Sequence, residues 1–240
     1  MIKFLRKIRQ NLLMENKTGK YFKYAIGEIL LVIIGILIAL QINSWNENRK
    51  AIQNEYKIVG KMIEQTKSDS TLLSNSIGNI ESRISNIEYY MAVIQGTADS
   101  LKQKNFSGWL PIFTNINDGT HLVRNHLDDF KEINDFELRE LLMEYYYLST
   151  MRNKAINILN LNMLNNNLPH YHSLYEDLKK YDTTSTFEEM QDFLKKSKLE
   201  SYILVSKSWL ENVLIQAEKL YNKNQEVLKE LEQYKNELVN

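Results

Sequence analysis

The chain has 240 residues, with 30 basic and 30 acidic side chains that cancel, so no global field draws it to nucleic acid. It has no cysteine, which excludes disulfides, thiolate nucleophiles and cysteine zinc sites and leaves His, Asp and Glu as the ordinary metal ligands. Gly (8) and Pro (2) are scarce for this length, and both punctuate strands and turns, so the composition predicts an all-α protein of long helices with few connections.

The neutral total conceals an asymmetry. Residues 1–23 carry seven basic side chains against the single acid Glu15, a net +6. Within this basic tail (residues 1–22), Ile2, Leu5, Ile8, Leu12 and Leu13 recur at helical spacing with Lys and Arg between them. Such a segment is either an amphipathic helix lying on anionic lipid or an irregular basic tail that enforces topology.

The next stretch, Tyr24 to Ile42, reads YAIGEILLVIIGILIALQI. Nineteen helical residues rise roughly 28 Å, close to the thickness of a bilayer core, which predicts a transmembrane helix over residues 23–44. A cleaved signal peptide would show small residues at its end. Here Ala39 is followed by Leu40, Gln41, Ile42 and Asn43, so an uncleaved signal anchor is the expectation. Tyr21, Phe22, Tyr24 and Trp45 flank the apolar run where interfacial aromatic belts lie. More basic residues precede the span than follow it, where Arg49, Lys50, Lys57 and Lys61 stand, which predicts a cytoplasmic N-terminus.

Glu28 is the one ionisable residue inside the span. An intramembrane carboxylate is a candidate functional group because a charge in hydrocarbon is costly. Its shallow depth, about one turn beyond Tyr24, gives the plainer alternative that it reaches the headgroups or pairs with Lys20 or Lys23. Gly27 and Gly35 lie eight apart and offer little as a helix-packing signal.

The run from Lys20 through Tyr24-Ala25-Ile26-Gly27-Glu28-Ile29, Ile34-Gly35-Ile36-Leu37-Ile38-Ala39-Leu40-Gln41-Ile42-Asn43 to Trp45-Asn46-Glu47 resembles the signature of an uncharacterised family of small single-span membrane proteins of Gram-negative bacteria. Asn134-Asp135-Phe136-Glu137-Leu138-Arg139 with Glu144-Tyr145-Tyr146 resembles a second, looser element of that family. The resemblance implies a protein of the cytoplasmic membrane with a helical periplasmic part, and it implies no reaction.

Beyond the span, residues 45–240 are expected to form an extracytoplasmic helical domain. One hydrophobic register runs through Ile52, Tyr56, Val59, Ile63, Thr66, Ser70, Leu73, Ile77, Ile80, Ile84, Ile87, Met91, Ile94, Ala98 and Leu101 in alternating steps of four and three. That is the period of a supercoiled seam and predicts a long helix over about 47–103. Gly60 and Gly78 fall off the seam, cost about 1 kcal/mol each relative to Ala, and mark places where the helix could bend. Turn residues follow around Gly108-Trp109-Leu110-Pro111 and Asn117-Asp118-Gly119. A short helix is expected near His121 to Ile133. Asn134, with Glu137 three residues on, resembles a capping box for a helix with Leu138, Leu141, Leu142, Tyr145, Leu148, Ile156, Leu159 and Met163 on its apolar face. Ser185 and Glu188 make a second such pair.

A final register, Leu199, Ile203, Ser206, Leu210, Val213, Ala217, Leu220, Asn224, Val227, Leu231, Tyr234 and Leu238, predicts a long helix over about 196–239. Tyr202, Trp209, Leu214, Tyr221 and Leu228 widen its stripe beyond a two-stranded seam, which favours a bundle. Asn224 is the amide in that seam, either solvated near a frayed end or setting register. The expected assembly is an up-and-down bundle with the first and last helices antiparallel. The first seam pairing with a second protomer is the alternative.

No catalytic constellation emerges. His170-Tyr171-His172 with Glu176, and His121 with His126, are spaced poorly for chelation along a helix, and nucleophile-elbow, phosphate-loop and dinucleotide motifs are missing. No metal or cofactor is expected. Three consecutive tyrosines at 145–147 point in three directions on a helix, and bundle packing is their plainer role. Trp109 and Phe113, in an apolar loop at the far end of the first long helix, are candidates for partner binding. The expected partners are the lipid bilayer and either a protein partner or a second copy, with no nucleic acid or small-molecule substrate. The expected function is a non-enzymatic structural, scaffold, adaptor or sensor-like protein of the cell envelope. The alternative is an accessory subunit of a proton-coupled or transport complex that uses Glu28.

Overall fold

A computed structural model describes residues 18–98, 120–167, 186–197 and 200–239. Every regular element among the described residues is helical. The chain forms two compact units, Met1–Glu55 and Tyr56–Asn240. A single helix, α1 (Thr18–Gln95), contributes to both.

In the first unit, α1 is apolar on every side. Ile26, Leu31, Ile34, Leu37, Leu40 and Ile42 are all exposed, Leu31 to 73%. Large aliphatic side chains that cover a helix all round give it no preferred face for a protein core. The helix is long and apolar enough to cross a membrane, and none of its most apolar stretch is buried within the protein.

In the second unit, α1 is joined by α2 (His121–His126), a 3-10 helix (Leu127–Glu132), α3 (Phe136–Asn162), a π-helical turn (Met163–Asn167), α4 (Phe187–Lys196) and α5 (Glu200–Glu237). Two cross-helix pairs give the direction of α3. Tyr145 bonds Asp69 and Arg152 bonds Ser76, both 76 residues apart, so α1 and α3 run parallel. Along α5 the order reverses, since Lys207 pairs with Glu88 while Glu232 pairs with Lys67. The first and last long helices are therefore antiparallel as expected. The parallel α1–α3 pair departs from the simple up-and-down order, because the chain returns to the level of Asp69 before α3 begins.

Helix ends follow local chemistry. The long helix stops at Gln95 rather than near residue 103, because Gly96 takes φ +75 and closes it. The Gly96 amide donates to the Val93 carbonyl and the Thr97 amide to the Ala92 carbonyl, the paired bonds of a Schellman motif. Between Thr18 and that point the helix is unbroken through Gly60 and Gly78. The cap of α3 is Asp135, not Asn134, and its carboxylate accepts from the Leu138 amide at 2.7 Å. Likewise the capping box of α4 is Thr186 with Glu189, one residue beyond the expected pair. Both shifts have one reason: the cap is the last residue with extended backbone, and here that is Asp135 (ψ 121) and Thr186 (ψ 162).

The α5 seam is buried as its periodicity predicts, from Ile203 and Ser206 through Leu210, Val213, Ala217, Leu220, Asn224 and Val227 to Leu231. The α1 seam is half right. Val59, Ile63, Thr66, Leu73, Ile80, Ile87 and Ile94 are buried as expected, but beyond Ile63 the second row is Asp69, Ser76 and Tyr90, one residue before the expected positions, and Met62 is buried beside Ile63. Ser70, Ile77, Ile84 and Met91 are half-buried flanks, and Ile52 and Tyr56 are exposed.

Apolar residues gather into two clusters. One joins Ile80, Ile87 and Val93 to Ile156, Leu159, Leu210 and Val213. The other joins Val59, Met62 and Leu73 to Leu122, Phe130, Leu142, Tyr145, Leu220 and Val227.

Candidate functional site

The most concentrated polar chemistry among the described residues is inside the bundle. Asp69, fully buried, accepts from the backbone amides of His121 at 2.7 Å and Leu122 at 2.9 Å, and from the Tyr145 hydroxyl at 3.2 Å. The His121 ring Nδ1 stands 3.1 Å from the same carboxylate. Asn224, also fully buried, donates its amide to the Thr66 carbonyl at 3.1 Å and to the Tyr145 oxygen at 3.3 Å. Deeper along α3, the buried Arg152 guanidinium donates to Ser76 Oγ at 3.0 Å. Four chain segments meet on this network: α1, the start of α2, α3 and α5.

Burial pushes the Asp69 carboxyl above the usual carboxylate range, against the pull of the Leu122 and His121 amides, the His121 ring and the Tyr145 hydroxyl. Tyr145 is raised as well, first by burial and then by the neighbouring Asp69 charge, so its hydroxyl keeps its proton and serves as a donor at neutral pH. Asp69, Tyr145, Arg152 and Asn224 have no exposed surface, while the His121 side chain beside Asp69 is 32% exposed. Chemically the arrangement fastens helices in one register, since any slip would strand a buried polar group at a cost of about 1–3 kcal/mol.

The surface carries a second feature, a groove of about 400 Å³ between α3 and α5, rimmed by Asp135, Glu137, Glu226, Glu230 and Glu237. Most of these carboxylates already have local duties. Asp135 caps α3, Glu230 meets Lys229 at 3.2 Å, and Glu237 accepts from Gln233. Glu226 and Glu144 hold Lys223 between them at 2.6 and 2.9 Å. Partial burial works to lower the Lys223 ammonium, but its hydrogen bonds to Glu226 and Glu144 prevail and hold it above the ordinary lysine value.

No protein-family model, curated protein or solved structure matches the chain.

The residues singled out from sequence fall in several places. Phe22 and Trp45 are exposed, at 67% and 64%, on the helix to either side of the apolar stretch. Tyr21 and Tyr24 belong to the same helix, and their side chains lie outside the described residues. Glu28 is partly covered. Trp109, Phe113, His170 and His172 also lie outside the described residues. His121 turns toward Asp69, and His126 holds Asp129 at 2.7 Å, so the structure gives each its own carboxylate. Among the described residues no group of three or more His, Asp or Glu could hold a metal ion. Of the three tyrosines, Tyr145 is fully buried, Tyr146 half-buried and Tyr147 60% exposed. Asn224 is buried and bonded across helices, which removes the solvated alternative.

Sequence inspection missed Asp69, Ser76 and Arg152. A signal for Arg152 was present: Leu138, Leu142, Tyr145, Ser149, Arg152, Ile156, Leu159 and Met163 keep an unbroken four-three alternation, and all eight are buried. A search for apolar letters passes over its two polar members.

Proposed function

We propose that the chain is a single-pass membrane protein of the cell envelope whose helical domain acts as a scaffold, adaptor or sensor-like interaction module rather than as an enzyme. The observation that carries this is the contrast in α1, whose residues 26–42 present aliphatic side chains on all sides while its later turns enter a protein core. An exposed apolar surface of that kind belongs in lipid. The buried polar cluster supports the non-enzymatic part, because its carboxylate, phenol and guanidinium are committed to holding helices together.

In this reading the basic tail is cytoplasmic and the domain periplasmic, as the excess of Lys and Arg before the span favours. Membership of the uncharacterised single-span family rests on the signature around residues 20–47. The domain's partner is a protein of the envelope or a second copy of the chain.

Topology is tested with single cysteines, since the native chain has none. Thr150→Cys lies on the exposed side of α3 and should react with an impermeant maleimide on intact spheroplasts, whereas Asn16→Cys should react only after lysis. The reverse pattern overturns the orientation, and reaction of both before lysis overturns the span. Cross-linking in the native membrane followed by mass spectrometry should then recover one stoichiometric partner or a defined homo-oligomer. A monomer with no cross-linked neighbour would remove the scaffold and adaptor reading.

A further inference from the structure

On the exposed side of α3 and α5, acidic and apolar side chains share one strip. The groove of about 400 Å³ between these helices is lined in part by Leu138, Leu141 and Tyr234. A second hollow, of about 620 Å³, continues it over α3, where Leu141, Met143 and Tyr147 lie among Glu137, Glu140 and Glu144. Glu137 and Leu141 line both, so the two are one surface. Five carboxylates line the first hollow, and Glu140 and Glu144 in the second make seven, while among the described residues no lysine or arginine lines either. Met143 is 47% and Tyr147 60% exposed, so the apolar part faces outward. We infer that this strip docks a basic amphipathic helix of a partner protein, whose apolar side chains cover Leu141, Met143 and Tyr147 and whose Lys and Arg side chains meet Glu137, Glu140 and the carboxylates of α5.

The shape suits a helix. Glu137 with Leu141, Glu140 with Glu144, and Met143 with Tyr147 are neighbouring pairs at i and i+4, the ridges between which a second helix seats its own side chains. From Glu137 to Tyr147 the strip runs about 15 Å, or about three turns of such a partner. Charge selects which helix. A cation of this chain already shows the fit, since Lys223 lies between Glu144 and Glu226 at 2.9 and 2.6 Å with its side chain only 17% exposed. The same walls reject other occupants. A second copy presenting this strip would bring seven carboxylates against seven, and an anionic lipid surface would meet the same repulsion. The apolar part supplies contact area, and the carboxylates supply orientation and faster encounter. The inference rests on the scaffold and adaptor reading and names the chemistry of its partner.

The test uses the full-length protein in maltoside micelles, with the photo-cross-linker benzoylphenylalanine in place of Met143. The probe is a peptide of about 18 residues built from Lys and Leu, with Leu on one helical face. A second preparation carries the cross-linker in place of Asn79, on the exposed side of α1. Capture at Met143 should exceed capture at Asn79 at least about tenfold. It should fall at least about tenfold when Glu137→Lys is joined with Glu140→Lys, two exposed positions at which circular dichroism should show the fold kept. Added salt should weaken capture, and the same peptide with Glu in place of Lys should not be captured. Equal capture at the two positions, or capture that ignores the charge reversal or the sign of the peptide, would overturn the inference. So would a product of twice the protein's mass joined through Met143, which would give the strip to a second copy. If the docking surface fails while cross-linking in the native membrane still recovers a stoichiometric partner, the scaffold reading stands without it. A monomer with no neighbour in that membrane removes both.

Discussion

One helix, α1, carries two kinds of surface. Over residues 26–42 it exposes nearly every side chain and has no polar face, whereas over residues 59–94 it buries one stripe and leaves the rest to water. The backbone is the same continuous helix in both stretches, so hydrogen bonding does not distinguish them. What differs is periodicity. An all-round apolar surface suits a solvent without direction, such as lipid, and a stripe asks for a partner, which the other helices supply.

That contrast can be broken at either end. The largest effect is expected in the apolar stretch. Ile33→Arg combined with Leu37→Arg places two charges where the helix is aliphatic all round, at about 3 kcal/mol each, and should release the protein from membranes under alkaline carbonate extraction. Retention of the double variant would mean that this stretch is not held by lipid. In the bundle the equivalent injury is a cavity. Leu142→Ala removes a fully buried side chain and should cost about 2–5 kcal/mol, read as a lowered Tm by circular dichroism in micelles, while membrane extraction stays unchanged.

A smaller and pH-dependent effect is expected at Asp69. Its carboxyl is held above the ordinary value by burial, so the folded state binds this proton more tightly than the unfolded chain does. The stability it contributes is greatest below the unfolded value, near 3.9, and falls as pH rises from there through the raised native value. Asp69→Asn removes that dependence, so the difference in Tm between the unaltered protein and the variant should shrink as pH rises from 4 to 7. A difference constant across that range would show that the carboxyl does not titrate as described. Smallest of all should be Lys67→Ala, which breaks a 2.7 Å pair with Glu232 whose side chains are 56% and 48% exposed. The expected change is under about 1 kcal/mol and is further reduced by salt, and a larger loss would mean that the pair is held more rigidly than its exposure suggests.

Much of the architecture was legible because it is written in apolar letters. The α5 seam from Ile203 to Leu231 was found intact because seven of its nine residues carry hydrocarbon side chains, and the structure admits Ser206 and Asn224 to the same row. Beyond Ile63, which is buried as expected, the second row of α1 was misplaced by one residue for the opposite reason. Asp69 and Ser76 occupy it, and a pattern of hydrophobicity assigns such positions to the flank that happens to hold Ile77 and Ile84. Arg152 escaped for the same cause, although its place in the four-three alternation of α3 was open to counting. Cap positions slipped by one because Asn134 and Asp135, or Ser185 and Thr186, are equally good capping residues, and backbone geometry chooses between them.

By itself the sequence determined the helical class, the apolar stretch and the faces of the long helices, since these follow from side-chain chemistry repeated at a local period. The direction of α3 and the carboxylate that holds His121 and Leu122 were decided by tertiary structure alone. Each depends on which residues meet across tens of positions, and a polar side chain is acceptable in a core only where its partners arrive from other helices.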